Sequence, residues 1–184
     1  MRGRRRRRLR AWAEGLVADH GSPVAALIGV APPLPHVTIE IEPGGEVPGV
    51  TSGTTIWLGE RWFDMHPDDV GCVLHELTHA YMRAPDSDED TLWLIEGIAD
   101  LVRDELGYDA PWTRAHHEAG KARAGYQTTA HFLRWLEDRA PGSVAELSRR
   151  LSAGTYAEGA FGEIAGRPLE DLIERYEAEQ AARP

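Results

Sequence analysis

The 184-residue chain reads as an α+β protein, with a small N-terminal β-region followed by a mainly helical domain. Three observations predict this class. Val37-Thr38-Ile39-Glu40-Ile41 alternates apolar and polar residues, as a half-buried strand does. Gly49-Val50-Thr51 and Thr54-Thr55-Ile56-Trp57-Leu58 flank Ser52-Gly53, a turn pair suited to two strands or a hairpin. Beyond residue 67 the apolar residues recur at helical rather than strand spacing.

Taken in order, residues 9–20 are expected as an amphipathic helix stopped by Gly21-Ser22-Pro23. Ala31-Pro32-Pro33-Leu34-Pro35 interrupts the chain again, and Pro43-Gly44-Gly45 is a turn between strands. Helices are then expected at about 67–82, 91–106, 113–122, 126–139, 143–152, 156–165 and 168–180. The chain has a 42% hydrophobic share, enough for one core, and is read as a single domain over residues 11–184. Residues 1–10 are read as a basic, disordered tail.

The segment Val73-Leu74-His75-Glu76-Leu77-Thr78-His79-Ala80-Tyr81 carries the pattern His-Glu-x-x-His. Residues four apart share one helix face, with Cβ atoms about 5–6 Å apart. Two imidazoles placed so can grip one zinc ion, and the intervening acid then stands beside a metal-bound water as general base. Val73, Leu74 and Leu77 make this a buried helix, and Pro67-Asp68-Asp69 gives it a start. The competing reading is a core helix with two hydrogen-bonded histidines.

A catalytic zinc takes three protein ligands and keeps one position open. A third histidine six residues after His79 is excluded, because Pro85 stands there. The alternative is an acid from the next helix. Leu92, Ile95, Ala99 and Val102 keep helical period, with Glu96 and Asp100 four apart among them. A carboxylate among apolar neighbours is unfavourable unless paired or bound to metal. Glu96 is therefore the candidate third ligand. Asp100 is the candidate acceptor for the free ring N–H of His75. Asp86, Asp88, Glu89 and Asp90 compete as acids but read as a solvated loop after Pro85.

These residues resemble the basic secretory protein family of plant and bacterial metallopeptidases. The likeness lies in Leu94-Ile95-Glu96-Gly97-Ile98-Ala99-Asp100-Leu101-Val102-Arg103 and in Gly107-Tyr108-Asp109-Ala110-Pro111-Trp112. It continues in Gly125-Tyr126-Gln127-Thr128-Thr129-Ala130-His131-Phe132-Leu133 and in Phe161-Gly162-Glu163-Ile164-Ala165-Gly166-Arg167-Pro168-Leu169. The resemblance implies a zincin-like, gluzincin-type zinc peptidase with His75, His79 and Glu96 as ligands and Glu76 as base. Gln127 and His131 depart from the family pattern, which commonly has an acid and an arginine there. Tyr126, after Gly125 and at a helix start, is the candidate donor to the tetrahedral oxyanion, with His131 in reserve. A second reading keeps the metal-site fold without turnover, as a binding or regulatory module.

Charge narrows the partners. Net charge is −10, yet residues 1–10 hold seven of the 20 basic residues and no acid. The rest carries 13 bases against 30 acids, so neither nucleic acid nor an anionic membrane is an expected partner. The expected partner is a peptide or protein substrate. Thr54–Leu58 is the candidate sheet edge for an extended peptide, the competing reading being that it only seals one face of the core. Leu9-Arg10-Ala11-Trp12-Ala13-Glu14-Gly15-Leu16 lacks the unbroken apolar run of a signal peptide, so the chain as written reads as cytoplasmic, while the family resemblance points to secretion. The single Cys72 is read as a packed thiol. His116 and His117 are read as surface residues. Trp57, Trp62, Trp93, Trp112 and Trp135 are read first as core, with one or two available to line a pocket.

Overall fold

The computed structural model describes residues 2–85, 88–108 and 111–183. Asp86, Asp109 and Ala110, named above, lie outside the described residues, as does the side chain of Glu89.

Three short strands form one sheet. β1 (Thr38–Glu42) and β3 (Thr55–Gly59) pair in parallel, while β2 (Gly49–Ser52) pairs antiparallel with β3. The order is β1-β3-β2. The β2–β3 hairpin turns at Gly53, whose φ of 58° is open to a residue without Cβ. Ile39, Ile41, Ile56 and Leu58 point one way into the core, as the alternation predicts. The predicted edge, Thr54–Leu58, is instead the middle strand. Local alternation marks a strand but carries no information on its neighbours, and the exposed edge belongs to β2.

Helix α1 (Arg2–Leu27) is longer than expected and passes through Pro23. Proline removes one helical hydrogen bond. Here Val24, Ala25 and Ile28 are buried just beyond it, and that packing outweighs the loss. The basic run read as a tail forms the first turns of α1. Arg5, Arg6 and Arg10 pair with Asp64, Glu60 and Glu40, so the run lies back on acids of the body. A one-and-a-half-turn helix, α2 (Glu60–Met65), follows β3 and has no counterpart in the sequence reading.

The helical part then comprises α3 (Val70–Met82), α4 (Glu89–Glu105), α5 (Tyr126–Glu137), α6 (Ser143–Ser152), α7 (Ala160–Ala165) and α8 (Leu169–Ala181). Residues 113–122, expected as a helix, are irregular with short turns instead. Their apolar residues are only alanines, too small to make a stripe that would hold a helix on the core. The segment is pinned by long-range bonds: Glu177 of α8 accepts from Gly120 N and pairs with His117. Residues 156–159, expected as helix, are irregular with a turn at 158–159, so α7 starts late.

α3 lies at the centre, packed by α1, α4, β2 and α6. α4 and α5 approach closely because Gly97 has no side chain; a Cβ there would lie 2.1 Å from Thr129 Cγ2. Phe132, Leu133, Phe161 and Tyr176 fill the space beyond. Among the described residues no helix is long and apolar enough to cross a membrane.

Candidate metal centre

α3 starts where the Asp69 carboxylate accepts from Cys72 N, an N-cap that replaces the predicted start at residue 67. It ends at Arg83, whose left-handed backbone (φ 46°) lets its N–H bond His79 O. α4 starts likewise, with Asp88 accepting from Thr91 N. The two helices run antiparallel. Gly71 faces Arg103, His75 faces Asp100, and His79 faces Glu96. The site is therefore mid-helix on both, where side chains are least free to move.

His75 Nε2, His79 Nε2 and Glu96 Oε2 converge on one point. The edges of their triangle measure 3.0, 3.2 and 3.7 Å. Ligand atoms bound to a tetrahedral zinc at ~2.0–2.1 Å are separated by roughly 3.3–3.4 Å. The triangle brackets that value, and its two nitrogens and one carboxylate oxygen match zinc's preferred donors. His75, His79 and Glu96 could hold a metal ion. Without a cation or a proton, three lone pairs would face each other with little water around them. Burial works against a charge on His75. Its hydrogen bonds to Asp100 and Glu96 outweigh that and raise its pKa from 6.5 to about 9. Burial also works against the Glu96 carboxylate, but its bonds to His75 and His79 prevail and hold its pKa far below the usual range.

Asp100 is 1% exposed, and its Oδ1 accepts from His75 Nδ1 at 2.7 Å. That bond fixes the tautomer that turns Nε2 toward the triangle. Arg103, one helical turn on and also buried, holds the same oxygen at 2.8 Å. The sequence reading gave Arg103 no role. Its place one turn after Asp100 on an apolar helix was the available signal.

Glu76 lies beside the triangle, buried under β2. Thr51 Oγ1 donates to Glu76 Oε2 at 2.7 Å and lies 3.1 Å from Glu76 O. A Cβ on Gly49 would stand 2.6 Å from Glu76 Cγ, so the strand reaches this close only as glycine. Thr51 and Gly49 were missed, since nothing local in a short strand signals a partner 25 residues away.

Tyr126 opens α5 directly after Gly125. Its φ is 47°, a conformation unfavourable for a bulky residue and held here by its surroundings. The ring lies parallel to His75, 6.4 Å between centroids and 10° between planes. Burial, reinforced by Glu96, Asp100 and Glu76, raises its pKa, so the hydroxyl keeps its proton. His131, the reserve candidate, lies elsewhere. It bonds Tyr176 and neighbours His117.

His75, His79, Glu96, Glu76, Thr51 and Tyr126 line one open cleft of about 780 Å³. Trp62 and Trp112 line it, whereas Trp93 and Trp135 are core. Cys72 borders the cleft but is buried. Desolvation, then the charge of Glu76, pushes its thiol pKa well up, which keeps it unreactive.

A family model described as a peptidase of plants and bacteria (BSP) matches residues 23–176. The chain belongs to this family. The family's description makes the chain a peptidase by kinship, and the matched span contains α2 to α7, the sheet and the whole convergence of side chains. Searches of curated proteins and of solved structures gave no match.

Proposed function

We propose that the chain is a zinc-dependent peptidase. The observation that carries this reading is the convergence of His75, His79 and Glu96 at the floor of an open cleft, with the Glu76 carboxylate alongside. Family membership supports the peptidase class. A zinc ion held by the three ligands supplies Lewis acidity, which lowers the pKa of a water and polarises a scissile carbonyl.

The chain's own residues do the rest. Glu76 takes the proton from the attacking water and later gives it to the leaving amine. Thr51 keeps that carboxylate turned toward the cleft. Asp100 and Arg103 lock His75 in its ligating tautomer. The Tyr126 hydroxyl, still protonated, donates to the oxyanion as it develops. The free edge of β2 offers backbone groups to an extended peptide.

The test measures zinc per chain and cleavage of an unfolded protein, for wild type, Glu76→Gln and His79→Ala. Expected are one zinc and cleavage for wild type, zinc without cleavage for Glu76→Gln, and neither for His79→Ala. A wild type that binds zinc yet cleaves no better than Glu76→Gln would replace the peptidase by a metal-site fold acting as a binding module.

A further inference from the structure

Large apolar side chains are normally scattered over a surface rather than gathered. Among the described residues, eight are strongly exposed, and five of them, Val47, Val50, Leu92, Trp112 and Tyr126, border the one cleft. Trp112 is 60% exposed, far more than an indole needs to be for packing alone. The two ends of the cleft differ. Where α3 ends and α4 begins, Met82, Pro85, Leu92 and Ile95 make an aliphatic wall. Where α3 begins, Trp62 and Trp112 both neighbour His66, with ring centroids 4.2 and 5.6 Å from it.

The polar groups at the aromatic end are already occupied. The Asp69 carboxylate takes Trp62 Nε1 at 2.9 Å and Cys72 N at 3.0 Å. Arg103 is paired with Asp100. Among the described residues no uncommitted cation waits there for an acidic side chain, and the chain beyond residue 10 is itself strongly acidic.

Direction follows from β2. Its leading segment bonds to the start of α2, through Gly59 N to Pro48 O and Arg61 N to Gly45 O. Trp62 of α2 in turn holds the N-cap of α3. Gly49 lies against the Glu76 side chain, which leans toward the start of α3, and Thr51 reaches Glu76 O, which points toward its end, so β2 runs in the same sense as α3. A peptide pairing antiparallel with the free edge of β2 enters at the aliphatic end and leaves at the aromatic end. Its residue following the cut bond then falls on the side of Trp62 and Trp112.

We infer that the cleft selects internal segments of unfolded polypeptide carrying a large apolar or aromatic residue immediately after the scissile bond, with Trp112 as the residue that grips it. This rests on the peptidase reading for the cut, though not for the binding. Peptides of about eight residues, identical except for Phe, Leu, Ala or Asp at that position, are titrated against zinc-loaded Glu76→Gln protein. Burying an aromatic side chain should tighten binding about tenfold or more over Ala, with Asp weakest. Trp112→Ala should bring the Phe-to-Ala ratio below about threefold while leaving the Ala peptide and the zinc content unchanged. Digestion of a reduced, unfolded protein by wild type should place the new N-termini at Phe, Leu and similar residues. Equal affinities for the Phe, Ala and Asp peptides, or a preference that survives Trp112→Ala, would overturn the inference. A wild type that fails to cut while Phe peptides still bind preferentially would remove the peptidase reading and leave the subsite standing.

Discussion

Thr51 donates to the carboxylate of Glu76 across 2.7 Å, from a strand 25 residues earlier in the chain. The bond is charge-assisted and shielded under β2, so it is of the stronger kind. Thr51→Val should keep full zinc content and lower kcat by about ten- to a hundredfold, with little change in KM; removing such a bond costs about 1.5–3 kcal/mol. Thr51→Ser should restore most of the loss. A Val variant with wild-type kcat would show that Glu76 needs no external support.

Gly49→Ala tests the same contact sterically. The added methyl would meet Glu76 Cγ at 2.6 Å, and either the carboxylate or the strand must shift. Expected is a large loss of cleavage with zinc retained, measured beside metal analysis of the same sample.

Glu96→Ala should reduce bound zinc well below one per chain, since two imidazoles alone hold the ion weakly. Asp100→Asn leaves the ligands in place but loosens His75, and zinc affinity should fall about ten- to a hundredfold. Competition with a coloured chelator measures both. Unchanged zinc in Glu96→Ala would assign the third ligand elsewhere.

Arg103→Ala strands the buried Asp100 charge with only His75 as partner. Breaking a buried pair by removing one member costs about 3–5 kcal/mol. Urea unfolding should register a loss of that order, whereas a surface pair such as Arg61–Glu46 should contribute almost nothing.

pH should act with opposite sign on chelated and zinc-loaded protein. In chelated protein, His75 titrates near 9 when folded against 6.5 when unfolded. The folded state then holds its proton more tightly. That stabilisation is complete below about pH 6.5 and is lost as pH rises through about 9. With zinc bound, the metal needs the same Nε2 lone pair, so protons displace it as pH falls. Melting temperatures between pH 6.5 and 9 should fall with pH for chelated protein and rise for zinc-saturated protein. Parallel slopes would remove His75 from the ligand set.

The convergence of His75, His79 and Glu96 was legible in the sequence because helical spacing is a strict ruler. His75 and His79 had to share a face, and Glu96 and Asp100 on an apolar helix demanded a partner. The α+β class was legible for a similar reason, since Ile39, Ile41, Ile56 and Leu58 alternate cleanly. What failed was whatever depends on contacts distant in sequence. The order β1-β3-β2 rests on β1 pairing with β3 past its chain neighbour β2, a choice that local alternation does not record, so Thr54–Leu58 is not an edge. Residues 113–122 lost their helix to bonds with Glu177 on α8, and Pro23 lost its veto to the burial of Val24 and Ile28. Thr51, Gly49 and Arg103 support the site from positions that no local pattern marks.

Both helices that bear the ligands are anchored by the hydrophobic interior along their length, quite apart from any ion. A zinc ion held there as proposed would not be the reason for folding, as it is in small zinc modules. On the proposed reading, stripping the ion should leave a folded molecule ready to take it back without a slow search, and cleavage should return when zinc is added to chelated protein.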